Sequence, residues 1–108
     1  MSEYLFIQSQ DPFTEVRAKG QYELASKLAI AGNRVRMILV QNGVCPTRQG
    51  AVCKSFSSLL DSRVIVLADE FALGQREIGS SQLKQDVQSC SLDIVIEAML
   101  AGHKVIWN

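Results

Sequence analysis

The sequence predicts an α/β fold, a three-layer sandwich with a mainly parallel sheet of about five strands. Three observations lead there. Short, continuous apolar runs recur along the 108 residues, as in "YLFIQ", "RVRMILVQ" and "RVIVLA", and such runs suit strands covered on both faces. Stretches with helical spacing of apolar residues separate them. Glycine, proline and asparagine punctuate the joins. Strands alternating with helices imply parallel pairing, because each helix returns the chain to begin the next strand on the same side.

Tyr4 to Gln8 is the first expected strand. Asp11 and Pro12 then suit a helix start, the aspartate as cap and the proline at the first helical position. Val16, Leu24, Leu28 and Ala31 keep helical spacing, and Gly32 ends the helix in a left-handed conformation. Arg34 to Gln41 reads as the second strand, broken by Asn42-Gly43. Pro46 is expected to open a helix through "TRQGAVCKSFSSLL", with Val52, Phe56 and Leu60 as its apolar stripe. Arg63 to Ala68 is the third strand. After a mixed segment with a short helical turn and a small strand near Val87, Ser91 to Ala101 reads as a helix that Gly102 ends. His103 to Asn108 closes the sheet.

The length fits one domain over residues 1–108. Eleven basic residues balance eleven acidic ones, so no global field draws in nucleic acid or an anionic membrane, and neither is an expected partner. Near-zero charge with 47% hydrophobic residues predicts apolar surface covered by other subunits, in a homo-oligomer. Three cysteines at scattered positions form no disulfide framework and suit a reducing cytoplasm. The N-terminus lacks the features of a signal peptide, and no apolar stretch approaches the ~18 residues that span a bilayer.

In open parallel sheets ligands sit beyond the carboxyl ends of the strands. The segments expected there are "SQDP", "NGVCPTR" and "DEF". Cys45 is the candidate catalytic residue, since a thiol between a strand end and a helix start meets unpaired amides and the positive end of the helix dipole, which favour a thiolate. Arg48 would support it with a second positive charge. The ordinary reading of Cys45 is a small core hydrophobe, as for most single cysteines. Cys90, before the last helix, is a candidate supporting or resolving thiol, and Cys53 reads as a packing residue. Asp69 can cap the turn after the third strand or meet a partner's basic residue, with capping the favoured role. His103, the only histidine, reads as a surface residue. Neither a C-x-x-C pair nor a glycine-rich phosphate motif is present, so no metal, cofactor or nucleotide is expected.

"VRMILVQNGV", "VIVLADEFALGQREI" and the closing "HKVIWN" together resemble the DsrE/DsrF/DsrH-like family, which includes the Tus sulfur-relay proteins. "ADEFALGQRE" most resembles the DsrH/TusB branch, with Asp69 and Arg76 at the matching positions. The resemblance implies a small cytoplasmic α/β protein that forms dimers, trimers or hexamers and passes persulfide sulfur between a protein donor and a protein acceptor. Two family positions differ. Where the DsrE/TusD branch carries its cysteine, at the end of the third strand, this chain has Leu67, Ala68 and Asp69, and the first helix lacks the cysteine of DsrH proteins.

The leading expectation is therefore a sulfur carrier or sulfurtransferase subunit that holds persulfide sulfur on Cys45. The alternative is a non-catalytic oligomeric subunit whose strand-end pocket binds a small ligand or a partner loop. A redox sensor built on Cys45 and Cys90 is a third reading.

Overall fold

The computed structural model describes residues 2–107. Five strands, β1 (Glu3–Gln8), β2 (Arg34–Leu39), β3 (Ile65–Asp69), β4 (Val87–Cys90) and β5 (Lys104–Trp107), form one sheet in the order β4-β3-β2-β1-β5. Every pairing is parallel. The helices are α1 (Val16–Ile30), α2 (Lys54–Leu60), α3 (Glu70–Gln75) and α4 (Asp93–Leu100). The chain steps from β1 to β4 in one direction, and α4 then carries it back across the whole sheet to β5. Right-handed crossovers require such a reversal to use the opposite face.

That reversal divides the core in two. On one face Phe6, Met37, Leu39 and Val66 meet Ala18, Tyr22 and Ala25 of α1, Phe56 and Leu59 of α2, and Ala72 and Leu73 of α3. Small residues on α1 let the helix approach the sheet closely. On the other face Leu5, Ile7, Ile38, Val40 and Leu67 meet Ala98, Ile94 and Val95 of α4. The layers are thus helix, sheet and helix, as expected, but the second face carries one eight-residue helix.

Several boundaries differ from the sequence reading, each for a local reason. Asp11 does not cap α1. Its Oδ1 accepts from the Phe13 amide at 2.9 Å and its carbonyl accepts from Thr14 and Glu15, which makes a separate turn, and α1 starts at Val16. The helix expected from Pro46 is also absent. Gln41–Thr47 forms a 3-10 turn instead, entered through a left-handed Gln41 with φ of 50°, and Gly50 at φ 92° interrupts the path to α2. Val52 is accordingly 88% exposed rather than part of an apolar stripe. Ser91 accepts from the Asp93 amide, and α4 begins two residues after it. The terminal Asn108 lies outside the described residues.

Candidate functional site

The carboxyl ends of β1, β2, β3 and β5 converge above the face that α4 covers, and a cavity of about 550 Å³ opens there. Ile7, Val40, Phe71, Val95, Ile96 and Trp107 supply most of its wall, with Ser9, Gln41, Asp69 and Gln75 at the polar positions. Two of the three segments expected to face a ligand, around Ser9 and Asp69–Phe71, therefore reach it. The third, Asn42 to Arg48, does not, and only Gln41 just before it lines the cavity.

Asp69 is 5% exposed and caps α3, its two oxygens accepting from the Phe71 amide at 3.4 Å and the Ala72 amide at 3.2 Å. Capping, the favoured reading, is thus what the structure shows. A buried carboxylate committed to two amides is a fixed wall element. Gln8, at the end of β1, is also buried, and its Nε2 donates to Gln21 Oε1 at 2.7 Å. This pair ties the second turn of α1 to the carboxyl end of β1.

None of the three cysteines lines the cavity. Cys45 sits inside the 3-10 turn, partly exposed and free. The position expected for it, the cap of α2, is held by Cys53. The dipole argument for Cys45 therefore does not hold. The Arg48 guanidinium Nη2 donates to the Arg76 carbonyl at 2.9 Å, and Arg48 bridges antiparallel to Leu83. Cys90 packs with the α4 face of the core, whereas Cys45 acts electrostatically on Tyr22 of α1, on the opposite face. The structure does not bring this proposed pair together. Burial pushes the Cys90 thiol up to about 11, with Asp69 and Glu70 adding to the rise and Arg36 opposing it. It is a poor nucleophile at neutral pH.

His103 lies at the opposite, amino-terminal end of the sheet. Its Nε2 meets Glu3 at 2.9 Å, and Arg36 Nη2 lies 3.4 Å from Nδ1. Among the described residues no group of histidine, cysteine and carboxylate side chains could hold a metal ion, and no helix is long and apolar enough to cross a membrane. The cavity can enclose an apolar body and orient it by a few polar groups, but it carries neither a thiol nor a histidine. Trp107 and the α4 residues were not anticipated as its wall. The available signal was "LDIVIEAML", apolar around most of its circumference, which marks a helix with something on both sides.

Several solved structures match this chain over nearly its whole length. The ychN protein of E. coli superposes with a TM-score of 0.86 at 17% identity, covering all of both chains. MTH1491 of Methanobacterium thermoautotrophicum, a protein of unknown function, gives 0.83 at 17% identity, again over all of both chains. The chain shares their fold. BT1422 of Bacteroides thetaiotaomicron, a conserved protein of unknown function, gives 0.79 at 14% identity, over 99% of this chain and 95% of that one. No protein-family model matches the chain, and no curated protein matches it significantly.

Proposed function

We propose that this chain is a DsrE-like sulfur-relay subunit that acts by binding, receiving a small ligand or a partner's loop in its strand-end cavity. The observation that carries the reading is the cavity itself, an apolar chamber at the sheet edge where such folds bind, with no thiol on its wall. The likeness of "QNGV" and "ADEFALGQRE" to the family, and the full-length likeness of fold to the ychN protein, support placing it in sulfur relay.

The same reading includes a homo-oligomer. Leu92, just before α4, and Ile96, Met99 and Leu100 of α4 stand 48%, 59%, 53% and 84% exposed, beside Phe71 at 69% and Trp107 at 65%. A helix apolar on its outer side as well as its inner side suits burial on both, and a second copy with no net charge meets little repulsion there. Ile96, Phe71 and Trp107 belong both to this surface and to the cavity wall, so assembly and ligand binding share side chains.

The test is binding of the fluorescent probe anilinonaphthalene sulfonate, compared between the wild type and Val40→Trp, which fills the chamber from its floor. Saturable binding lost in Val40→Trp supports the reading. Equal binding by a folded Val40→Trp variant ends it.

The second reading, a persulfide carrier, rests on Cys45 being free and partly exposed in the turn after β2. Its sulfur would attack the terminal sulfur of a donor persulfide and displace the donor's thiolate, becoming Cys45 persulfide. Incubation with a persulfide donor then adds about 32 mass units to the wild type and none to Cys45→Ala. Uptake that survives Cys45→Ala excludes it.

A further inference from the structure

On the face of the sheet opposite the strand-end cavity, a groove of about 710 Å³ runs between α1 and α2. Its volume falls within the roughly 300–1,000 Å³ of small-molecule sites. Both helices turn their large apolar residues to the sheet, Tyr22 from α1 and Phe56 and Leu59 from α2, and Tyr22 and Leu59 also form the base of the groove. Above that base the flanks facing each other carry small polar residues, Ser26 on α1 and Ser55 and Ser58 on α2. Side chains this short cannot interdigitate across the gap, so it stays open.

The charge of the groove is unbalanced in a chain that is neutral overall. Lys19 and Lys27 of α1 and Lys54 of α2 line it against one acid, Glu23. Glu23 lies one helical turn from both α1 lysines. Even so, among the described residues none of the three ammonium groups has a carboxylate within ion-pair distance. The hydroxyls of Ser26 and Ser58 are likewise without a hydrogen-bond partner among the described residues, so both can donate to a ligand.

Lysines and hydroxyls, with no arginine among them, select the kind of anion. The planar fork of an arginine matches a carboxylate through two parallel bonds. An ammonium is a point charge, and it suits a phosphate, whose several oxygens can accept from a lysine and a hydroxyl at once. Lys19 and Lys27 stand two turns apart, about 12 Å along the helix axis, with Lys54 across the groove on α2. Positive charge is thus offered at two ends of the groove rather than at one point.

We propose that the groove between α1 and α2 binds a small organic bisphosphate, its two phosphates held by the lysines and its polar body by the serine hydroxyls between them. The strand-end cavity and α4 lie on the other face of the sheet. The site therefore depends neither on the chamber nor on assembly through α4, and it stays open in an oligomer built on that helix.

The experiment titrates fructose 1,6-bisphosphate into the full chain at low salt and follows proton–nitrogen correlation spectra. Saturable shifts are expected in the two groove helices, over residues 19–30 and 54–62. Fructose should produce none, and binding of the bisphosphate should weaken several-fold at physiological ionic strength. Lys27→Gln and Lys54→Gln should each weaken it several-fold. Glu23→Gln should tighten it, a change of sign that damage to the fold could not give. Shifts centred outside the groove overturn the proposal, as does an affinity untouched by both lysine variants. Citrate bound as tightly as the bisphosphate also overturns it, since the groove would then sense charge alone. Tighter binding of single-stranded RNA would overturn it by making the groove part of a longer nucleic-acid track.

Discussion

Arg76 and Asn42, 34 positions apart in the chain, are joined by a 2.7 Å hydrogen bond from guanidinium Nη2 to Oδ1. Through it the turn that follows β2 is tied to the end of the helix that follows β3. The same residue donates from Nη1 to the Ala72 carbonyl at 3.2 Å and accepts from Arg48 on its own carbonyl. Two segments at the ligand edge, the β2–α2 connection and α3 with its end, thus meet on one arginine.

Replacing it tests that role. Arg76→Ala removes both guanidinium bonds, one of them exposed, for an expected loss of about 1 kcal/mol in urea unfolding. The specific outcome is faster amide exchange in Gly43–Thr47, measured by deuterium uptake, with the amides of β1 and β2 unchanged.

Gly43 is a stricter constraint on the same turn. A Cβ built there would run into the backbone carbonyl of Gln8, at the end of β1. Backbone cannot rotate aside as a side chain can, so Gly43→Ala must displace the turn or the strand end. The expected cost is about 1–3 kcal/mol, read as a lower urea midpoint with an unchanged slope. Gly20→Ala is the control, because its Cβ would meet nothing within 4 Å and α1 is helical there. That variant should gain roughly 0.5–1 kcal/mol.

Burial raises two acids in this fold, and the sign of their effect on stability follows. Cys90 ionises near 11 when folded, above its ordinary value of 9.0, so the folded chain holds that proton more tightly than the unfolded chain. Its contribution is complete below about pH 9 and lost as pH rises towards about 11. Tyr22, also raised, adds a loss that begins near its ordinary 10.0 and extends higher. Urea midpoints should therefore fall from pH 9 upward, and the fall should flatten at its lower end in Cys90→Ala. An identical fall in that variant would remove Cys90 from the account. Alkylation of Cys90 should likewise remain slow through neutral pH.

The sheet was legible because its strands are continuous apolar runs of the right length, and because alternation with helices leaves parallel order as the simple solution. Asp69 was legible for a similar reason, since an aspartate at a strand end before "EFALG" has amides waiting for it. Cys45 was misplaced because Pro46 suits either a first helical position or a 3-10 turn. The choice lay in tertiary contacts: Gly43 packed on the Gln8 carbonyl and a left-handed Gln41, neither visible locally. The packing of Phe56 between the Tyr22 ring and Lys84 Nζ could not be read from spacing at all, because its members come from α1, α2 and the segment before β4, and only the fold joins them.

The apolar outer side of α4 sets the last expectation. Ile96 and Leu100 are one turn apart, exposed, and outside the contacts that hold α4 to the sheet. A charge at either position should leave the monomer fold intact, within about 0.5 kcal/mol of wild type, as exposed substitutions do. It would, however, place an unpaired carboxylate in any interface built on this face, at a cost of several kcal/mol. Light scattering should show the wild type as a dimer or larger assembly and Leu100→Asp as a monomer with unchanged far-ultraviolet circular dichroism. Ile96→Asp should also weaken anilinonaphthalene sulfonate binding, because Ile96 lines the cavity and Leu100 does not. The difference between the two variants separates what the interface does from what the chamber does. If the wild type is already monomeric at micromolar concentration, α4 must be covered by a different chain, and the Leu100→Asp variant then serves to show which partner is lost.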